Sequence, residues 1–336
     1  MNVTKAIRGR EDALVWGGLG FLGRHLVSRL LSDGVAVSIL SRSRSLYPTP
    51  SWASNVRWFE LHDGEDNQTT LLEAVSSASV IYDFAGSSGA VASNRDPLGS
   101  LELNCRKHLE FLRVCEMAAN RPHVVFASSW LVYGATNVVA VAESHALAPQ
   151  SMYAAHKICI ENYLQIFARR NKITYTICRI SNPYGLDSSG PGATYKVLNS
   201  FIQNALADLP ITLFGDGGQL RDFIYISDLI DALVLCGCSP QARNELLNIS
   251  SGVSHTVRDA VFMIRDLVGA PTVNFVPWPE DYQTVESGDY VADISAAKTK
   301  LGFTPAYDLR SGLEETIRQY RKNGSAYEGC RVATAK

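Results

Sequence analysis

The sequence predicts an α/β protein, in which a doubly wound parallel sheet carries a smaller α/β lobe towards the carboxyl terminus. Over the first two thirds of the 336-residue chain, short runs rich in β-branched residues alternate with apolar stripes at helical spacing. From Asn182 onward the elements become shorter, and loops containing glycine and proline separate them. Hydrophobic residues make up 46% of the chain, which is enough for a substantial core.

The predicted strands and helices follow in the order that this fold requires. A four-residue apolar run, Ala13–Trp16, ends in glycines. The helix that follows carries Leu22, Leu26 and Leu30 on one face and ends at Asp33-Gly34. Further buried strands are predicted at 35–40, 56–61, 80–85, 124–128 and 173–180. Two later helices are indicated by apolar stripes, the first through Leu101, Cys105, Leu109 and Leu112 and the second through Ile160, Tyr163, Leu164 and Phe167.

Composition and charge exclude several classes of function. The formal net charge is −2, so no bulk positive charge draws the chain to nucleic acid or to an anionic membrane. The 7 cysteines include no CxxC pair and the 7 histidines show no ligand spacing, so we expect neither a disulfide framework nor a metal site. Residues 124–142 are free of charge, but serine, tyrosine and glycine interrupt them, and the first residues contain no signal-peptide core. We therefore expect a cytoplasmic protein with no membrane segment.

A glycine-rich turn joins the first predicted strand to the first predicted helix. Residues 17–23 read GGLGFLG and satisfy both the GxGxxG and the GxxGxxG spacing. Glycine allows a tight turn and lets backbone amides approach a pyrophosphate at the start of a helix. An ordinary turn is the alternative, but the strand before and the helix after favour dinucleotide binding. The residues expected to contact the dinucleotide here are Gly17, Gly20, Phe21, Leu22 and Gly23.

The end of the second predicted strand bears on which dinucleotide is bound. An acidic residue there would accept a hydrogen bond from the ribose 2′-hydroxyl of NAD. This chain instead has Ser41 and Arg42, followed by Ser43 and Arg44, and these side chains suit a 2′-phosphate. We therefore favour NADP over NAD, with solvated loop arginines as the alternative. Asp63, after the third strand, is a candidate adenine contact or else a turn residue beside a glycine.

Tyr153 and Lys157 lie four residues apart on a predicted helix, and Ser128 and Ser129 end a buried strand. Open α/β sheets place their ligands at this edge. A free tyrosine has a pKa of about 10, and a neighbouring ammonium together with an oxidised nicotinamide would lower it. Tyr153 could then exchange a proton with a sugar hydroxyl or ketone, while a serine hydroxyl holds the same oxygen. The alternative is a surface tyrosine beside a solvated lysine.

These motifs, taken together, resemble those of the extended short-chain dehydrogenase/reductase family in its nucleotide-sugar epimerase/dehydratase branch. The matching stretches extend over nearly the whole chain. They are GGLGFLG at 17–23, DFAG at 83–86, Asn104, SSWLVYG at 128–134, YAAHK at 153–157, RISNPYG at 179–185, FGDG at 214–217, RDFIYISD at 221–228, NISSG at 248–252 and LGFTP at 301–305.

The resemblance implies a Rossmann domain, residues 9–181 with 222–250 returning to it, and a nucleotide-sugar lobe formed by 182–221 and 251–330. It implies Ser129, Tyr153 and Lys157 as the catalytic residues. Further expected cofactor contacts are Phe84, Ala85, Gly86 and Asn104, and expected substrate contacts are Ser129, Tyr153, Asn182 and Arg221. Apart from the family, Arg221 and Asp222 could equally form a structural ion pair. The family analogy also implies a homodimer formed through 97–118 and 151–170.

Two departures from the family pattern narrow the expected reaction. Dehydratases of this branch carry an acid and a base directly after the position of Ser129, whereas this chain has Trp130 and Leu131. We therefore expect C4 epimerisation of a nucleoside diphosphate hexose, with a UDP-sugar as the first candidate. Because the acidic residue is also missing at Ser41, an NADPH-dependent 4-keto-6-deoxysugar reductase is the alternative. A non-catalytic NADP sensor is a third reading, which the intact serine, tyrosine and lysine disfavour.

Overall fold

The computed structural model describes residues 12–42, 49–136, 140–188, 197–269 and 272–322. Its strands are β1 Ala13–Trp16, β2 Val37–Ser41, β3 Arg57–Glu60, β4 Val80–Asp83, β5 His123–Ser129, β6 Thr174–Ile180, β7 Asn182–Tyr184, β8 Ile211–Phe214, β9 Leu220–Tyr225, β10 Glu245–Ile249, β11 Ser254–Thr256 and β12 Val273–Val276. Its α-helices are α1 Phe21–Ser32, α2 Gln68–Ser76, α3 Ala90–Arg95, α4 Pro97–Leu101, α5 Lys107–Met117, α6 Met152–Arg169, α7 Val197–Leu206, α8 Ile226–Cys238, α9 Val257–Val268, α10 Glu280–Gln283, α11 Ser295–Leu301 and α12 Leu309–Lys322.

Seven strands form the central sheet in the order β10-β6-β5-β4-β1-β2-β3, and every pair is parallel. The strand order reverses at β1: β2 and β3 are added on one side of it, and β4 starts the series on the other side. In sheets of this kind the crevice for a ligand opens at the carboxyl ends of the strands beside such a reversal. The predicted fold class is confirmed, and the ends of the predicted strands differ from the observed ends by at most two residues.

Two hydrophobic clusters cover the two faces of this sheet. Leu26 and Leu30 of α1 lie in one cluster with Leu233 of α8, whereas Phe111 of α5 and Leu164 of α6 lie in the other. The strands between them are buried on both faces, as in a doubly wound fold. Each of these fully buried side chains contributes roughly 1.5–3 kcal/mol to folding.

The remaining strands form two small sheets. One has the order β11-β9-β7, with β9 antiparallel to β11 and parallel to β7, and the other pairs β12 with β8. β10 returns to the central sheet, whereas β9 belongs to the small three-stranded sheet. The predicted return at 222–250 therefore begins inside β9, and the domain boundaries stay predictions. No helix in the part of the chain that the structure describes combines the length and apolar character needed to cross a bilayer.

One predicted helical stripe is broken in the structure. A π-helical turn, Glu102–Arg106, separates α4 from α5 and shifts the register of the buried face. Leu101 was predicted to lie on that face and is instead 46% exposed, while Cys105 and Leu112 are buried. The prediction for Leu101 is therefore wrong, because regular helical spacing does not hold across the turn. Asn104 lies inside the turn and is fully buried.

Candidate active site

The glycine turn leaves no room for side chains where the chain passes from β1 to α1. Gly17 has φ +86°, and a Cβ there would lie 2.9 Å from the Phe84 carbonyl oxygen. A Cβ on Gly23 would lie 2.3 Å from the Gly17 carbonyl oxygen. Among the described residues, no side chain caps α1, whose N-cap is Gly20. The turn therefore brings bare backbone and free helix amides together, which fits the diphosphate of a dinucleotide.

The predicted adenosine-binding residues lie beyond the carboxyl ends of β2 and β3. The Ser41 Oγ is buried and has no hydrogen-bond partner among the described residues, while Arg42 is exposed. Asp63 accepts a hydrogen bond of 2.8 Å from the Lys107 Nζ. That bond lowers the pKa of Asp63. The positive charge of Arg42 acts in the same direction, so the two side chains interact electrostatically. Ser43 and Arg44 lie outside the described residues.

The loop after β4 is fixed by Asn104. Its Oδ1 accepts a hydrogen bond of 3.1 Å from the Ser87 backbone amide, and its Nδ2 donates to the Ser87 and Ser100 hydroxyls over 3.0 and 3.2 Å. Gly86 has φ +107°, and a Cβ there would lie 2.2 Å from the Asn104 Oδ1. Phe84 and Ala85 lead into this loop. Asn104 thus shapes the loop through bonds to protein groups.

Ser129, Tyr153 and Lys157 come together at the carboxyl end of β5. Ser129 ends that strand, Tyr153 is the second residue of α6, and Lys157 follows one turn later. The Ser129 side chain lies near the Tyr153 phenol and acts to lower its pKa. The Lys157 Nζ donates to the Ala127 carbonyl over 2.8 Å and lies 5.6 Å from the centroid of the Tyr153 ring. The spacing of the sequence therefore brings the predicted trio to one place.

Burial shifts the pKa values of both Tyr153 and Lys157. Burial raises the pKa of Tyr153 to about 12, and Ser129 acts in the opposite direction. Burial lowers the pKa of Lys157 to about 8, while Asp83 and Glu161 act to raise it. Desolvation of the phenol thus outweighs the nearby groups of the protein itself, and the lowering by Lys157 together with an oxidised nicotinamide stays a prediction.

A buried ion pair under this site was missed by sequence reasoning. The Arg179 Nη2 and Nε donate to the two carboxylate oxygens of Glu161 over 2.7 and 3.1 Å. The Ser128 Oγ donates to the same carboxylate over 2.5 Å. Ser128 thus supports the strand end next to Ser129 and takes no part in the trio. The spacing could have indicated Glu161, since it lies one turn after Lys157 on the same helix.

Trp130 and Leu131 occupy the positions at which dehydratases carry an acid and a base. Trp130 is 5% exposed, and its ring stacks on Tyr290 with centroids 4.6 Å apart. The Arg221 guanidinium lies 5.3 Å from the Trp130 ring centroid on its face. This position is therefore filled by an aromatic and cationic layer, which supplies no carboxylate for proton transfer.

The two residues expected to bind the sugar nucleotide are bonded to protein groups. The Asn182 Nδ2 donates to the Asp222 carbonyl over 3.0 Å. Arg221 pairs with the Glu286 carboxylate, and its Nη1 donates to the Gly288 carbonyl over 2.5 Å. The alternative of an ion pair between Arg221 and Asp222 is therefore wrong, since the Asp222 carboxylate accepts from loop amides and a serine hydroxyl. A diphosphate at Arg221 would compete with Glu286 for the guanidinium.

The described residues contain no cluster of three or more histidine, cysteine, aspartate or glutamate side chains that could hold a metal ion. The chemistry at hand is therefore that of the trio and the glycine turn. A phenol, an ammonium group and a hydroxyl beside a diphosphate cradle can bind a dinucleotide and move a proton at an adjacent hydroxyl or carbonyl.

Comparison with known proteins agrees with this geometry. The model of the NAD dependent epimerase/dehydratase family matches residues 13–250. The chain is 28% identical over 314 residues to a UDP-glucose 4-epimerase of Mycolicibacterium smegmatis, covering 92% of this chain and 98% of that protein. It is 26% identical over 323 residues to a dTDP-4-dehydro-6-deoxyglucose reductase of Escherichia coli, covering 93% of this chain and 98% of that protein.

A solved structure gives a similar picture. UDP-glucuronic acid 4-epimerase from Bacillus cereus, in complex with UDP-glucuronic acid and NAD, matches with a TM-score of 0.79 and 25% identity. The match covers 93% of this chain and 99% of that one. Similarity therefore extends over both the central sheet and the small lobe.

Proposed function

The chain belongs to the NAD dependent epimerase/dehydratase family, and from that premise we propose that it epimerises C4 of a UDP-hexose through a 4-keto intermediate. The observation that carries the proposal is the meeting of Ser129, Tyr153 and Lys157 at the sheet edge that also holds the glycine turn. Trp130 in place of a carboxylate supports epimerisation over dehydration.

In this proposal Tyr153 takes the proton of the sugar 4-hydroxyl and later returns it. The glycine turn at 17–23 would hold the diphosphate of a dinucleotide, whose nicotinamide would supply reversible hydride transfer at C4. Ser129, which acts to lower the pKa of Tyr153, would hold the sugar oxygen and favour the phenolate. Lys157, fixed on the Ala127 carbonyl, places a positive charge near the ring when protonated. Burial keeps the Tyr153 hydroxyl protonated at neutral pH, so its ionisation depends on these neighbours.

We propose that Asn182 and Arg221 keep the nucleoside diphosphate bound while the keto sugar turns over. The planar Arg221 guanidinium suits a phosphate and lies on the face of Trp130, directly after Ser129. Its present carboxylate partner, Glu286, lies in the small lobe, so substrate binding exchanges one anion for another. Retention of the nucleotide is required because the intermediate must turn over without leaving the protein.

We propose that NADP is preferred to NAD. The orphaned Ser41 hydroxyl and the exposed Arg42 lie where a ribose 2′-substituent is read. The field of Arg42 reaches Asp63, which supports a shared adenosine site. The backbone of Gly17, Gly20, Phe21, Leu22 and Gly23 would hold the diphosphate, and the loop Phe84, Ala85 and Gly86, shaped by Asn104, would border the second ribose.

The second candidate is an NADPH-dependent 4-keto-6-deoxysugar reductase. The similarity to the Escherichia coli reductase over 93% of this chain favours it, as does the missing acidic residue at Ser41. The same trio would serve, with Tyr153 donating a proton and the cofactor leaving after each turnover. The same residues would serve both reactions, and the substrate and the fate of the cofactor separate them.

The decisive experiment incubates the purified protein with UDP-galactose in the presence of a catalytic amount of dinucleotide and no added reductant. We expect UDP-glucose to form up to the equilibrium ratio, measured by chromatography of the nucleotide sugars. The Tyr153→Phe variant is the control for contaminating activity. Turnover that occurs only with stoichiometric oxidation of NADPH on a 4-keto sugar would replace this proposal with the reductase.

We also propose a homodimer. Five large apolar side chains are exposed on the helices that the family analogy assigns to the interface, namely Leu98, Leu101, Met117, Met152 and Ile166. Leu98 is the most exposed of them, at 77%. Light scattering should give twice the mass of the chain, and Leu98→Asp should shift the population to monomer. A monomeric wild-type protein at micromolar concentration would contradict this assembly.

A further inference from the structure

The start of α6, the helix that carries Tyr153, is bonded to side chains of α3. The Tyr153 backbone amide donates to the Ser93 Oγ and the Met152 amide to the Asn94 Oδ1, each over 2.9 Å. The hydroxyl of the helix's own N-cap, Ser151, accepts from the Ala154 amide over 3.3 Å. The first amides of a helix have no partner within it. Here α3, 60 residues earlier in the chain, supplies two of those partners.

Ser93 is held in a single orientation for this purpose. The residue is 5% exposed, and its hydroxyl donates to the Ala90 carbonyl over 2.8 Å while it accepts from Tyr153. Both bonding functions of the hydroxyl are thus used, so it cannot rotate freely. The bond joins α3 to the Tyr153 backbone nitrogen, which is bonded directly to the Cα that carries the phenol side chain.

α3 is itself anchored on both sides of the cleft. It begins directly after Gly89, at the end of the loop that follows β4 and that Asn104 fixes. At its other end the Arg95 Nε donates to the Asp281 carboxylate of α10 over 2.8 Å. The Tyr153 backbone is therefore tied to the loop assigned to the cofactor and, through α3, to the small lobe.

We propose that Ser93 is a positioning residue for the reaction, which keeps the first turn of α6 in place so that the Tyr153 phenol stays beside Ser129. This inference rests on the proposed role of Tyr153 in proton transfer. A misplacement of roughly 1 Å can cost about a hundredfold in rate. Loss of the Ser93 hydroxyl should therefore lower kcat and leave the binding of the sugar nucleotide, measured by KM, nearly unchanged.

The test compares Ser93→Ala with Thr256→Ala. Thr256 caps α9 by the same kind of bond, accepting from the Asp259 amide over 2.9 Å, and lies outside the proposed site. Both variants should lower Tm by a similar amount. We expect kcat to fall about tenfold in Ser93→Ala only, and Ser93→Thr, which keeps the hydroxyl, to recover most of it. Both rates are measured in whichever of the two proposed reactions the wild-type protein catalyses.

A pH profile separates positioning from simple stability. Ser129 acts to lower the pKa of Tyr153, so a displaced phenol loses this effect and ionises at higher pH. If the protein is an epimerase, the acid limb of its pH profile of kcat should move to higher pH in Ser93→Ala. The acid limb of Thr256→Ala should not move. A Ser93→Ala variant with the wild-type kcat and acid limb, or with only KM changed, would overturn the inference.

Asn94→Ala covers the case in which Ser93→Ala does not fold, because Asn94 is exposed. It removes the acceptor of the Met152 amide, and we expect kcat to fall about threefold with the acid limb moved in the same direction. An unchanged kcat and acid limb in a folded Asn94→Ala would overturn the inference. If the wild-type protein catalyses neither proposed reaction, the proposed function fails. If it catalyses one of them and the variants behave like the wild type, only the inference about Ser93 fails.

Discussion

The two sides of the cleft are built by different means. On the sheet side, the glycine turn, Ser129 and Tyr153 are placed by strand ends, helix starts and the absence of Cβ atoms. On the small-lobe side, Asn182 is bonded to Asp222, 40 residues later in the chain. Arg221 is bonded to Glu286, 65 residues later. The comparison indicates that the sheet side is ready for its ligand, whereas protein groups compete for the predicted ligand residues of the small lobe.

The largest expected effect tests the chemistry of the sheet side. Tyr153→Phe keeps the ring and removes the hydroxyl, so kcat should fall by about a thousandfold, within the usual range for loss of a proton-transfer group. Affinity for the dinucleotide, measured by calorimetry, should stay within about twofold of the wild type. If kcat survived the substitution, Tyr153 would not be the group that moves the proton.

The next effect tests whether bare backbone is what makes that side ready. In Gly23→Ala the new Cβ meets the Gly17 carbonyl oxygen at 2.3 Å, so the turn must shift. We expect dinucleotide affinity to fall about a hundredfold and stability by roughly 1–3 kcal/mol. Gly34→Ala is the control for lost stability without crowding, because its φ of +80° strains an alanine while no atom lies within 4 Å of its Cβ position. Equal loss of affinity in both variants would show that the close approach at Gly23 is irrelevant.

A smaller effect concerns which dinucleotide the sheet side prefers. Arg42→Ala should weaken NADP by about tenfold, because a charge-assisted hydrogen bond to the 2′-phosphate is lost. NAD affinity should stay nearly the same, since it carries no such phosphate. The measurement is a parallel titration of both dinucleotides, with the exposed Arg57→Ala as a control for charge alone. Equal weakening of the two would remove the proposed preference.

The smallest expected effect concerns the pair of Arg221 with Glu286 in the small lobe and the KM for the sugar nucleotide. Glu286→Gln removes the charge that competes for Arg221, so KM for the sugar nucleotide should fall about threefold with kcat unchanged, in keeping with a partly exposed ion pair. Asp281→Asn, which alters the exposed pair with Arg95, is the control and should leave KM unchanged. A rise in KM would mean that Glu286 holds Arg221 in its binding orientation, and the small lobe would then be as ready as the sheet.

The sequence predicts the sheet side well because its signals are local. Ala13–Trp16, the glycines and the four-residue spacing of Tyr153 and Lys157 each lie within a few residues. The rest depends on pairs distant in sequence: Arg221 and Glu286 are 65 residues apart, and Ser93 meets Tyr153 across 60. No local pattern indicates such pairs. The raised pKa of Tyr153 likewise follows from burial, which only the folded structure shows.

The π-helical turn at Glu102–Arg106 carries one residue more than a regular helix would hold between the same ends. Deleting one residue there would leave a regular helix between the same ends, so the remaining residues of the turn would take new directions around the helix axis. Asn104 would then turn away from the loop it braces at Ser87. Substitutions around this turn can be absorbed one side chain at a time, but its length cannot change. We therefore expect insertions and deletions to be far more harmful here than in the surface loops of the small lobe.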